Sequence, residues 1–321
     1  MGNEIPVYTK ILVIGSIGMD QTILMKQAPT SGAAELADIK DCPGGKGNNE
    51  AVACARAGGN TAFIGVVGDD YNQKLKKSLE DDNVTAILQT KKNIETHKAV
   101  IMVDDNGISK ILIKPGADDY LDINQIDQNI KFIENAEIII FNLEIPLNTV
   151  SYAISKCNPK KNIIILRPSF ISKKRQKELP VDLIKKMNYL IVNESELETI
   201  TGMPTNSDDE TESACKKLIK EKVPQNLIVV SKTKGCILWN KDVGKKRYNS
   251  YYNESDIVDF TGAVDCFIGT FAAYLSNKYK LDDAIKYANL AVSICVRKVG
   301  TISSYPRLKE INDEKERVKN W

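Results

Sequence analysis

The stretch Asp259-Phe-Thr-Gly-Ala-Val-Asp-Cys-Phe-Ile-Gly269 contains a turn of small residues that leads into a helix. A strand-like segment, 256–259, precedes the turn, and a run with helical apolar spacing, 263–275, follows it. The free N–H groups and the dipole at a helix start stabilise a phosphate or a developing anion. Asp265 lies in the first turn, where its carboxylate is placed to accept a proton from an alcohol. The alternative is that Asp265 only complements the helix dipole.

A second glycine-rich stretch, Gly44-Gly-Lys-Gly-Asn-Asn49, opens another helical run. Its spacing is neither that of a Walker A loop nor Gly-x-Gly-x-x-Gly. Together the two stretches resemble the paired signatures of the ribokinase-like (PfkB) carbohydrate kinases, the second of which reads Asp-Thr-Thr-Gly-Ala-Gly-Asp. The resemblance extends from residue 11 to about residue 306 and is closest to the ribokinases within that family.

The resemblance implies ATP-dependent phosphorylation of a primary hydroxyl on a small sugar, with D-ribose as the first candidate. Asp265 would be the general base, and N–H groups around Gly262 and Ala263 would stabilise the transferring phosphoryl group. The family's sugar-binding positions correspond to Asp20, Gly45, Lys46, Asn49 and Glu144. Gly18 stands where the family has Asn, so one sugar contact is expected to be missing.

Asp20 and Glu144 each follow an apolar run, 10–15 and 137–141, that is typical of a buried strand. Ligands of open α/β sheets bind beyond the carboxyl ends of the strands, so both carboxylates are expected to face a ligand. The alternative for Asp20 is an ordinary turn aspartate. Arg167-Pro168 also follows an apolar run, where the family often has Asn-Pro, and a surface arginine and a hydrogen-bond donor to the ligand are equally good interpretations.

The resemblance also implies sites for ATP and ions. Asn193 and Glu196 match the family's Asn-x-x-Glu, which organises Mg²⁺ and phosphates, although acids here would equally suit a helix start. Lys232 and Gly235 lie where the family binds nucleotide, but only the glycine and the general polarity of that element are retained. A monovalent cation, K⁺, is expected near three residues that flank the base: Asp259, Gly300 and Ser304.

Apolar strand-like runs alternate with helical runs from residue 61 onward, which predicts an α/β fold. The predicted helices include 123–134 and 281–298. We expect one domain, residues 1–321, with a doubly wound, mostly parallel sheet and helices on both faces. The family resemblance adds a small β-sheet lid from segments at about 21–41 and 97–114. The second of these is a predicted hairpin with a turn at 104–107, and the first has a turn at 29–32. The lid often forms a homodimer contact in this family.

Composition excludes several other classes of protein. The chain has 44 basic and 42 acidic residues, so its charge indicates neither a nucleic-acid partner nor an anionic membrane surface. No apolar run approaches the ~18 residues that span a bilayer. Seven scattered cysteines without Cys-x-x-Cys predict reduced thiols in a cytoplasmic protein. His97 is the only histidine, which disfavours a zinc site or a catalytic triad and predicts a structural role for it.

Val264 departs from the signature, because the family has Gly before the base. A β-branched residue disfavours positive φ and would fill space that a phosphate needs. Two hypotheses follow: an active kinase slowed at this position, for which Val264→Gly would raise turnover, or a catalytically silent relative that binds sugar or a partner.

Overall fold

A computed structural model describes residues 9–26, 36–103, 109–169, 180–222, 224–240 and 244–318. A large sheet of nine strands in this part of the chain has the order β13-β12-β11-β10-β9-β8-β1-β4-β5. The first seven of these strands along the chain are parallel, and β12 and β13 are antiparallel to them. Their bounds are β1 Ile11–Ile14, β4 Thr61–Gly68, β5 Thr85–Lys91, β8 Ile138–Asn142, β9 Ile163–Arg167, β10 Tyr189–Asn193, β11 Asn226–Ser231, β12 Gly235–Asn240 and β13 Gly244–Tyr248.

Helices cover both faces of the large sheet, as the alternation predicts. They are α1 Lys46–Arg56, α2 Asn72–Asp81, α3 Ile123–Gln128, α4 Ile130–Asn135, α5 Leu147–Lys156, α6 Val181–Ile184, α7 Glu194–Thr201, α8 Asp208–Lys222, α9 Ala263–Ser276, α10 Leu281–Cys295 and α11 Leu308–Arg317. Successive residues of β1 point to opposite faces, so Ile11 and Val13 join one core cluster and Leu12 and Ile14 the other. The predicted doubly wound architecture is confirmed.

A separate four-stranded sheet has the order β3-β2-β6-β7, with bounds β2 Gly18–Met25, β3 Ala37–Gly44, β6 His97–Val103 and β7 Ser109–Lys114. The predicted hairpin is therefore present as β6 and β7, which pair antiparallel. Both predicted turns of these segments, 29–32 and 104–107, lie outside the described residues. The small sheet leaves large apolar side chains exposed, among them Leu36, Ile39 and Leu112.

Three sequence predictions of secondary structure are wrong in detail. Residues 256–259 are not a strand, because a short 3₁₀ turn, Glu254–Asp256, leads into irregular backbone. The helix predicted over 123–134 is broken at Asn129, whose φ of −116° and ψ of 19° interrupt helical hydrogen bonding. The helix predicted over 281–298 ends at Cys295. Within the described residues, no helix combines the length and apolarity needed to cross a membrane.

Candidate active site

A cavity of about 180 Å³ lies between the carboxyl ends of the large sheet's strands and the small sheet. The small sheet contributes apolar side chains to its wall, including Ile101 and Ile113. The remaining wall brings together most of the predicted sugar and catalytic residues with residues that were not predicted: Asp20, Gly45, Lys46, Asn49, His97, Glu144, Arg167, Thr261, Gly262, Asp265 and Thr301. Asp20 and Asp265, which are 245 positions apart along the chain, therefore face one space.

Glycines at the start of α1 let the backbone approach the carboxylate of Asp20. A Cβ atom added to Gly44 would lie 2.2 Å from the Asp20 carboxyl carbon, so any side chain there would displace the acid. Gly45 has φ of 87°, a conformation that other residues rarely adopt. These two positions therefore need glycine for geometric reasons, which explains that part of the sequence motif.

Lys46, which is half-buried, and Glu144, which is buried, form an ion pair at the cavity wall. The Ser16 hydroxyl donates to the second oxygen of Glu144, Oε2, at 2.6 Å. Burial by itself would raise the pKa of the Glu144 carboxyl, but the charges of Lys46 and His97 and these hydrogen bonds lower it to about 2. Glu144 is therefore an anionic acceptor at neutral pH, as a carboxylate that binds sugar hydroxyls must be.

Asp20 is 8 % exposed, and burial raises the pKa of its carboxyl to about 6, with the charges of His97 and Glu144 acting in opposite directions. A carboxyl group accepts hydrogen bonds from hydroxyl groups at both of its oxygens only when it is ionised. We therefore expect kcat/KM for the sugar to fall as pH decreases through about 6. Initial rates between pH 5 and 8 test this, and the acid limb should flatten in Asp20→Asn, whose amide does not titrate. An unchanged limb in that variant would assign the titration to another group.

Asp265 is held by two side chains from other elements. Its Oδ2 accepts a hydrogen bond from Asn49 Nδ2 at 3.1 Å, and its Oδ1 forms an ion pair with Arg167. Asp265 is 3 % exposed and lies in the first turn of α9, as predicted. The carboxylate is thus fixed at the cavity wall by a neutral donor on α1 and a cation at the end of β9.

Arg167 is the residue that sequence reasoning left undecided. It is buried, and its Nε donates to Glu196 Oε1 at 3.2 Å while its Nη1 pairs with Asp265. Burial raises the pKa of the nearby Glu50 carboxyl to about 7, although the Arg167 charge and a hydrogen bond from Asn142 lower it. The only sequence signal was an arginine directly after the apolar run of β9, at the edge where ligands bind.

The backbone conformation removes the expected conflict at Val264. Positive φ occurs at Gly262, with φ of 77°, and among the described non-glycine residues it occurs only at Asn83, Asn93 and Lys278. Val264 lies within α9, is 4 % exposed and packs in the core, and it is not part of the cavity wall. The predicted conflict with positive φ at Val264 is therefore wrong, and its side chain packs in the core and not at the cavity wall.

Val264→Gly is accordingly expected to leave turnover unchanged and to destabilise the fold. Loss of a buried Val side chain and a glycine in a helix together reduce the free energy of unfolding by about 2–4 kcal/mol. Urea unfolding and steady-state kinetics of the variant test this. A higher kcat at unchanged stability would mean that Val264 does restrict the anion site.

The predicted nucleotide residues lie at the ends of the next strands, outside the cavity wall. Asn193 caps α7 by accepting from Glu196 N at 2.7 Å, and Glu196 Oε2 accepts from Asn193 N at 3.0 Å. Both carboxylate oxygens of Glu196 are therefore engaged, one by its own helix and one by Arg167. Gly235 has φ of 79° at the turn between β11 and β12, and Lys232 lies in the same turn.

The predicted cation residues lie on two loops, with Asp259 just before α9 and Gly300 and Ser304 after α10. Asp259 Oδ1 accepts from Thr261 N at 2.8 Å, and its Oδ2 accepts from Gly300 N at 2.9 Å. Each oxygen keeps a free lone pair, so the carboxylate fits a cation ligand. The Ser304 hydroxyl donates to the Thr301 carbonyl at 2.7 Å. No cluster of three or more metal-ligating His, Cys, Asp or Glu side chains occurs in the described part of the chain.

Comparison with known proteins agrees with the fold. The model of the pfkB family carbohydrate kinases matches residues 8–308. A ribokinase of Dictyostelium discoideum is 31% identical over 319 residues, covering 94% of this chain and 99% of that protein. A deoxyribokinase of Salmonella typhi is also 31% identical, over 310 residues, covering 94% of this chain and 97% of that protein. The structure of Arabidopsis thaliana ribokinase complexed with ribose and ATP superimposes with a TM-score of 0.86 at 25% identity, covering 96% of this chain and 98% of that one.

The family match, together with the layered α/β fold, identifies a phosphotransferase that acts on sugars. The chain belongs to the pfkB family of carbohydrate kinases, and its relatives include ribokinases and deoxyribokinases.

Proposed function

We propose that this kinase transfers the γ-phosphoryl group of ATP to the primary hydroxyl of a pentose, with D-ribose as the first candidate. The single observation that carries the proposal is the shared cavity, in which Asp20 and Glu144 face Asp265 at the start of α9. Its volume of about 180 Å³ accommodates a small polyol. Relatives named ribokinase and deoxyribokinase match this chain equally well, which supports a pentose and leaves its 2-position open.

Asp20, Asn49, Lys46 and Glu144 would hold the sugar through its hydroxyl groups, with Gly45 allowing close backbone approach. Asp265 would accept the proton of the attacking hydroxyl. The first-turn N–H groups of α9 and the Arg167 guanidinium would stabilise the charge on the transferring group. The Ala263 N–H donates to the Phe260 carbonyl at 3.2 Å, a long bond that a phosphate oxygen would have to replace.

Sugar-dependent ADP release tests the proposal. Ribose, 2-deoxyribose, fructose and a nucleoside are compared as acceptors in the presence of Mg²⁺ and K⁺, with Asp265→Asn as the blank. We expect the two pentoses to give the highest kcat/KM. Release that never exceeds the blank for any acceptor would favour the alternative, a silent protein that binds sugar or a partner.

Mg²⁺ and K⁺ complete the proposed reaction. Mg²⁺ would arrive with the nucleotide and neutralise its phosphate charge, and Asn193 and Glu196 would orient its water ligands from the end of β10. Lys232 and Gly235 would lie along the nucleotide. Asp259, with Gly300 and Ser304 in the adjacent loop, would hold K⁺ and keep the start of α9 in place.

We also propose a cytoplasmic homodimer that forms through the small sheet, which acts as the lid of a single-domain protein. Exposed apolar residues of that sheet, Ile39 and Leu112, support a dimer contact. All seven cysteines are free thiols, which supports a reducing compartment.

A further inference from the structure

His97 occupies the space that a side chain at position 18 would otherwise fill. Gly18 in β2 pairs directly with His97 in β6. A Cβ atom added to Gly18 would lie 2.7 Å from the His97 Cδ2 atom and 2.3 Å from its carbonyl oxygen. The imidazole therefore lies over Gly18, 3 % exposed, at the cavity wall that Asp20 and Glu144 also form. The purely structural role predicted from sequence does not account for this position.

A buried carboxylate fixes the orientation of the ring. His97 Nδ1 lies 2.7 Å from Asp118 Oδ2, and Asp118 is fully buried in the 3₁₀ segment Gly116–Tyr120. The other oxygen, Oδ1, accepts from the Ile17 N–H at 3.2 Å, so the carboxylate is itself held. Because Nδ1 bonds Asp118, Nε2 is the ring nitrogen that can serve the cavity.

The surroundings favour the protonated ring. Burial alone would lower the pKa of His97, but the hydrogen bond and charge of Asp118, with the charges of Glu144 and Asp20, raise it. These three acids come from separate elements. Asp118 is in the 3₁₀ segment, Asp20 is in β2, and Glu144 follows the end of β8. Both ring nitrogens of a protonated imidazole carry a hydrogen. Since the Nδ1–H bonds Asp118, the Nε2–H is the donor that remains for the cavity, and the orientation of the ring fixes its direction.

We propose that His97 is a specificity-determining sugar-binding residue, whose Nε2–H donates to one hydroxyl of the acceptor, and that Asp118 is the positioning residue for this contact. The inference rests on the proposed function, since it assigns the cavity to a sugar. An oriented, buried donor discriminates strongly against an acceptor without a matching hydroxyl, because the donor is then left unpaired.

The unique histidine allows a direct test without mutation. In protein purified without a polyhistidine tag and labelled with ¹⁵N-histidine, all imidazole signals come from His97. The best acceptor from the ADP assay is added without nucleotide, and its binding is followed in parallel by calorimetry. We expect the Nε2 resonance to shift and the ring to stay protonated to a higher pH when the sugar binds. Unmoved ring signals in an enzyme that binds and phosphorylates the sugar would overturn this inference alone, whereas failure of phosphorylation with every acceptor would overturn the proposed function and this inference with it.

Kinetics with single-position changes in the acceptor test specificity. Ribose is compared with 2-deoxyribose, arabinose and xylose in His97→Gln, and in Lys98→Gln as a control because Lys98 points to the opposite face of β6. We expect His97→Gln to lose about 10- to 100-fold in kcat/KM for the preferred pentose, as for a hydrogen bond to a charged group. The loss should be much smaller for both 2-deoxyribose and arabinose if the contacted hydroxyl is the one at C2, or for xylose if it is the one at C3. Equal losses for all four sugars would overturn the proposal.

Asp118→Asn tests whether the charge of Asp118 positions the His97 ring or whether Asp118 only fills space beside it. We expect a lower pKa for the His97 ring by NMR, a raised KM for the sugar and an unchanged kcat, because the amide keeps the shape and loses the charge. The double variant His97→Gln/Asp118→Asn avoids a buried unpaired acid and should show the same loss of specificity as His97→Gln. A double variant with wild-type specificity would contradict the role assigned to His97.

Discussion

Asp265→Asn is expected to lower kcat by about 10²- to 10⁴-fold, the contribution typical of a positioned general base. The amide keeps the size of the side chain and can keep a contact with Asn49, but it cannot accept the proton of the attacking hydroxyl. KM for the sugar should change little, because the sugar's other contacts remain. Initial rates of ADP release with saturating sugar provide the measurement.

A matched control separates this role from simple helix-dipole complementarity. Asp283 is a first-turn acid of α10, outside the cavity wall, so Asp283→Asn removes a charge from an equivalent helix position. We expect wild-type kcat for that variant. Similar kcat values for the Asp265 and Asp283 variants would mean that Asp265 only complements the dipole of its helix.

Arg167→Met is expected to reduce the free energy of unfolding by about 3–5 kcal/mol, the cost of breaking a buried ion pair from one side. Removal of the guanidinium leaves Asp265 and Glu196 without their shared cation and removes the charge that lowers the pKa of Glu50. Buried acids that lose a cation have raised folded-state pKa values, so their ionisation costs stability as pH rises. The deficit should therefore be larger at pH 8 than at pH 5, as measured by urea unfolding.

The double variant Arg167→Met/Glu50→Gln tests the network. Glu50 is fully buried, and its neutral amide analogue removes one of the acids that Arg167 compensates. We expect part of the lost stability to return, with the greater recovery at pH 8. Additive losses in the double variant would show that Glu50 and Arg167 do not interact.

The features that depend on neighbouring residues were predicted correctly from the sequence. The start of α9 and the placement of Asp265 in its first turn depend on neighbouring residues. The parallel strands were also predictable, since each must be apolar on both faces. Val264 was misjudged because the sequence motif does not show which position of the turn carries positive φ, and it is Gly262.

Side chains that act through distant partners could not be placed in this way. Arg167 has partners on α7 and α9, and a surface position would have suited the same sequence. His97 was read as structural because neither Asp118 nor the space above Gly18 is visible in a linear pattern.

By itself, the sequence determined the layered α/β architecture, the two glycine-rich turns and the chemical identity of the acids at the strand ends. Apolar periodicity and backbone conformational preferences act over a few residues, so they can be read along the chain. Only the tertiary structure decided which charges share the cavity, which acid each cation neutralises and where the lone imidazole lies. Those outcomes depend on burial and on distances between separate strands and helices, and electrostatic interactions depend on both.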